Sequence, residues 1–144
     1  RSVSDYSGNR RVGWLCIAVG ISSGLLMGLW SFDGPLTPPA FLGDCGTTAR
    51  RLLRLGHIAW IGLGILNLLL ARELPVSALS GRGKRAASVL MNIGNVALPL
   101  TLFAASLWRP LKYTMAPAAT CVFIAVVLVA MGARPSAGSG EARR

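Results

Sequence analysis

The 144-residue chain carries 15 Lys and Arg against 5 Asp and Glu, a formal net charge of +10, yet only 14% of its residues are charged and 53% are hydrophobic. An ordinary soluble domain holds about 25% charged residues. The composition therefore excludes a disordered basic tail, and the charges are too few and scattered for a nucleic-acid groove. The length fits one domain whose solvent is a lipid bilayer.

Four stretches are long and apolar enough to cross a hydrocarbon core of about 30 Å, which takes ~20 helical residues. They cover residues 12–32, 52–71, 86–107 and 113–132. The first is full-length and lacks a cleavage-type segment after it, so it reads as a span and not as a signal peptide. Lipid offers no partner to backbone amides, so each span is expected to be a helix. Residues 33–49, rich in Pro and Gly, read as an ordered, partly extended loop, and residues 72–85 as a polar, basic link. The run Trp108–Lys112 reads as a tight turn that makes the last two helices antiparallel neighbours. Residues 1–11 and 133–144 are polar tails.

Basic residues set the orientation. Arg1, Arg10, Arg11, Arg72, Arg82, Lys84, Arg85, Arg134, Arg143 and Arg144 fall on one side, and only Arg50, Arg51, Arg54, Arg109 and Lys112 on the other. The richer side is expected in the cytoplasm, which puts both termini inside. Trp30, Trp108 and Tyr113 then fall at the outer boundary and Trp14 at the inner one. The expected fold is an all-α, up-down-up-down bundle of four transmembrane helices in a bacterial inner membrane.

Between lipid-solvated helices, close packing and interhelical hydrogen bonds take over from the hydrophobic effect. The first helix carries Gly20, Gly24 and Gly28, spaced by four, a ridge that lets another backbone approach. The third carries Ser88, Asn92, Asn95 and Pro99 on one face. Pro99 cannot donate to the Asn95 carbonyl, so a kink is expected there. Asn67 of the second helix and Asn92 lie within one turn in depth, and an Asn67–Asn92 hydrogen bond is expected.

His57 is the only histidine. An ionisable group inside a span is a functional candidate, and neutral imidazole is a good ligand for haem iron or a chlorophyll magnesium. Arg50, Arg54 and Gly64 share its helix face. Gly64 is expected to leave room for a flat ring, the arginines to meet haem propionates, and Met27 to offer a second axial ligand. The bland alternative is an imidazole that bonds a neighbouring carbonyl, with arginines that meet lipid phosphates or a partner's acidic surface.

No catalytic constellation can be assembled: the spans hold no Asp or Glu, and Cys16, Cys45 and Cys121 form no CxxC or CxxCH. A proton-driven transporter would need an embedded carboxylate. The expectation is a non-catalytic accessory subunit of a larger bacterial membrane complex, respiratory or photosynthetic, with lipids and other integral membrane subunits as partners. The second expectation is a haem- or bacteriochlorophyll-binding protein that uses His57.

Overall fold

The computed structural model describes residues 6–31, 34–44 and 46–133. Four long helices follow in order: α1 (Ser7–Gly28), α2 (Thr48–Val76), α3 (Gly81–Leu107) and α4 (Met115–Gly132), with 3₁₀ turns at Ala40–Leu42 and Arg109–Thr114. They run up and down, and all four are long and apolar enough to cross a membrane, α4 together with the turn before it. Arg1, Asp5, Asp33, Cys45, Arg134, Glu141, Arg143 and Arg144 lie outside the described residues.

Helical geometry outruns the apolar stretches. Helix α1 begins at Ser7 instead of residue 12, α2 extends to Val76, and α3 begins at Gly81. Most of the expected link 72–85 is therefore helix, and only residues 77–80 connect α2 to α3. Hydropathy marks the hydrocarbon crossing, whereas Arg, Lys and Glu at its edges remain good helix formers. The 29 residues of α2 span about 44 Å at 1.5 Å per residue, well beyond a core of about 30 Å. Hydroxyls close both helix starts: Thr47 Oγ1 accepts from the Arg50 amide at 3.4 Å, and Ser80 Oγ from the Gly83 amide at 3.2 Å.

The helices form an open row. Helix α1 packs on α2, α2 on α3 and α3 on α4, with lighter contact between α1 and α3 and between α2 and α4. Among the described residues α1 and α4 have at most marginal contact with each other. Helix α4 buries only the small residues Ala118, Ala125 and Gly132, spaced by seven, and turns Phe123, Ile124, Val127 and Met131 outward. Helix α1 turns Trp14, Leu15, Val19, Ile21, Leu25 and Leu26 outward.

Two ends follow from this topology. At the terminal end, α1 begins, α4 finishes, and residues 77–80 turn. Leu70, Leu74, Ala87, Met91 and Ala125 form a buried cluster there, with Tyr6 and Leu79 packed against it. The Ala78 amide donates to the Gly132 carbonyl at 2.8 Å and ties that turn to the end of α4. At the opposite, loop end lie residues 29–31, 34–44, 46–47 and 108–114. Thr47 Oγ1 donates to the Leu42 carbonyl at 2.5 Å, and Leu42 is buried, so the loop folds back on the start of α2.

The glycine ridge of α1 is consumed within the chain. A Cβ on Gly20 would lie 2.5 Å from Ile61 Cγ1, and one on Gly24 would lie 2.4 Å from His57 Cε1. Gly64, expected to leave space for a ring, is instead the α1 crossing point: its Cβ would meet the Gly13 carbonyl at 2.8 Å and Ile17 Cγ1 at 2.7 Å. The expectation for Gly64 is therefore corrected, because the backbone of α1 already fills that space. Gly28 departs from the ridge, since nothing lies within 4 Å of its Cβ position.

Candidate functional site

The terminal end holds a polar network of four side chains. Asn9 Nδ2 donates to Asn67 Oδ1 at 2.7 Å and more weakly to the Ser88 carbonyl at 3.3 Å, while Ser88 Oγ donates to Asn9 Oδ1. Asn67 Nδ2 donates to Asn92 Oδ1 at 2.9 Å, the pairing expected from depth. Asn9 and Asn67 are fully buried. The network joins α1, α2 and α3 through groups that would otherwise face hydrocarbon unpaired. Asn9 was missed because it precedes the apolar stretch. The signal was nonetheless present, since Asn9, Gly13, Cys16, Gly20 and Gly24 continue one small-residue stripe at spacings of three and four.

The loop end holds a cleft of about 410 Å³ between α1 and α2, lined by Gly24, Met27, Gly28, Ser31, Arg50, Arg54 and His57. On α1 the lining residues Gly24, Met27 and Gly28 recur at spacings of three and one, and Ser31 follows three residues past the helix end. On α2 they recur at four and three, one face of each helix. The structure thus brings His57, Arg50, Arg54 and Met27 together, adds Ser31, and leaves Gly64 out.

His57 is held by α1. Its Nδ1 lies 2.7 Å from the Gly20 carbonyl and 3.2 Å from Ser23 Oγ, whose own hydroxyl donates to the same carbonyl at 2.7 Å. A carbonyl can only accept, so Nδ1 carries a proton, and Nε2 is the ring nitrogen left for a ligand. The imidazole lies against Gly24, where any side chain would displace it. What results is an oriented imidazole at the floor of an open groove, a thioether beside it and two guanidinium groups along α2. Such a groove can offer one nitrogen ligand and bind an anionic group. Among the described residues no group of three or more His, Cys, Asp or Glu is placed to hold a metal ion. The thiols of Cys16, buried, and Cys121, half-buried, are free.

Asn95 behaves differently from its neighbours on α3. It is fully buried, yet neither its Oδ1 nor its Nδ2 has a hydrogen-bond partner, and the buried Trp60 Nε1 has none either. No protein-family model, no curated protein and no solved structure matches the chain.

Proposed function

We propose that this chain is a non-catalytic subunit of a larger bacterial membrane complex of the energy-transducing kind, respiratory or photosynthetic. It lies in the inner membrane with both termini in the cytoplasm, as the basic residues at the terminal end favour. The open row of helices carries this reading: α1 and α4 do not close on each other, and each leaves a broad apolar face. A row encloses no route for a solute, and its edges suit side-by-side packing with other integral membrane subunits, lipid covering the rest. The glycine ridge is not the docking surface, because α2 already covers most of it. Native electrophoresis after extraction in mild detergent tests the proposal. Co-migration with other membrane subunits is expected; a chain that migrates alone, folded and fully stable, overturns it.

A second reading has its own support in the held imidazole of His57. Under it the chain binds haem or bacteriochlorophyll, with His57 Nε2 as axial ligand, Met27 as a second ligand and Arg50 and Arg54 facing the carboxylates of a haem. The cleft volume of about 410 Å³ falls in the range of ligand sites, about 300–1,000 Å³. With Gly64 closed off and Gly24 covered by the imidazole, Gly28 is the one glycine of the ridge with open space at its Cβ position. An absorption spectrum of the gently purified chain decides it. A Soret or near-infrared band lost in His57→Ala supports the reading, and a colourless chain refutes it for the isolated subunit.

A further inference from the structure

Helices α1 and α2 are antiparallel, and their contacts fix the register. The Cβ position of Gly24 meets His57, that of Gly20 meets Trp60 and Ile61, and that of Gly13 meets Leu68. Carried to the terminal end, the same register sets Arg10 beside Ala71 and Arg72. A cleft of about 350 Å³ opens there between the two helices, lined by Arg10, Trp14, Leu68, Ala71 and Arg72. Each helix gives it a charged end and an apolar end. Arg10 stands one turn, about 6 Å, closer to the terminal end than Trp14, and Arg72 stands as far beyond Leu68.

Among the described residues neither Arg10 nor Arg72 makes an ion pair or a side-chain hydrogen bond, and both are exposed. Glu73, the acid next to Arg72, lines a different cleft with residues of α4. Arg10 also stands in the first turn of α1, which holds no acid to offset the positive end of the helix dipole. A guanidinium fork matches the oxygens of a phosphate. Toward the loop end, Ala18, Ile21 and Leu25 continue an exposed apolar strip on the Trp14 face of α1. The occupant must therefore bring an anionic group to the arginines and apolar surface to Trp14 and Leu68. A phospholipid with a net negative headgroup does both at the membrane boundary, whereas a free phosphate would leave the apolar wall uncovered.

We propose that this cleft binds one anionic phospholipid, its phosphate between Arg10 and Arg72 and its acyl chains running from Trp14 and Leu68 along α1. The site is separate from the loop-end cleft and depends on neither reading of function. Native mass spectrometry of the full chain in mild detergent tests it, with dioleoyl phosphatidylglycerol, dioleoyl phosphatidylcholine and inorganic phosphate as probes. One phosphatidylglycerol should bind more tightly than the zwitterionic lipid with the same chains, and phosphate alone should not displace it. Arg10→Gln combined with Arg72→Gln should weaken its binding about 25-fold, a factor of about five for each basic residue at a membrane surface. Arg82→Gln combined with Arg85→Gln removes the same charge from the terminal end outside the cleft and should leave binding unchanged. Circular dichroism checks that the variants keep their helicity, and the comparison of the two lipids on the wild-type chain needs no variant. Equal binding of the two lipids overturns the proposal, as does displacement by phosphate. Undiminished binding in the folded Arg10→Gln, Arg72→Gln chain, or equal losses in the two arginine pairs, overturns it as well.

Discussion

The two ends of the α1–α2 pair use polar groups in opposite ways. At the terminal end Asn9, Asn67, Ser88 and Asn92 bond one another across three helices. At the loop end one bond set, from His57 to the Gly20 carbonyl and Ser23, fixes a ring whose second nitrogen borders a groove. A network that turns inward holds helices together. A ring that is held on one side and open on the other is suited to a ligand or a partner. The difference teaches that the same kind of residue, polar and within a span, is structural or receptive according to whether its last hydrogen-bonding atom is used up.

Substitutions can break or sharpen this contrast. The largest effect is expected from Asn67→Leu, which removes the centre of the network and strands Asn9 and Asn92. A loss of about 3 kcal/mol is expected from two interhelical bonds and the unpaired groups left behind, read by thermal or denaturant unfolding in detergent. Gly64→Ala is next, at about 2 kcal/mol, because its methyl would press on the Gly13 carbonyl of α1 and force the helices apart. Asn92→Leu should cost about 1 kcal/mol, since Asn92 sits at the rim of the network and is half-buried. His57→Ala should cost least, about 0.5 kcal/mol, for one bond at a cleft wall. Equal losses for Asn67→Leu and His57→Ala would erase the distinction between the two ends.

Much of the fold was legible because a bilayer demands apolar spans of a fixed length. Residues 86–107 and 113–132 nearly coincide with the cores of α3 and α4. The helix starts were not legible, because Ser7 to Arg11 are helical but polar, and with them went Asn9, the member of the network that α1 supplies. His57, Arg50, Arg54 and Met27 could be grouped from depth and face alone, and the cleft unites them. Gly64 could not be excluded the same way. Spacing places it on the His57 face, but only the approach of α1 at Gly13 and Ile17 shows that no space is left. The open row was likewise hidden. Short links require neighbours in sequence to pack, yet they leave free whether the first helix returns to the last.

The most direct test of the proposed function is native electrophoresis of the wild-type chain, extracted from its own membrane in mild detergent, followed by identification of its companions. A subunit role predicts a band well above the 15.1 kDa chain that contains other integral membrane subunits. A chain that runs alone, with full helicity and undiminished thermal stability, would contradict it.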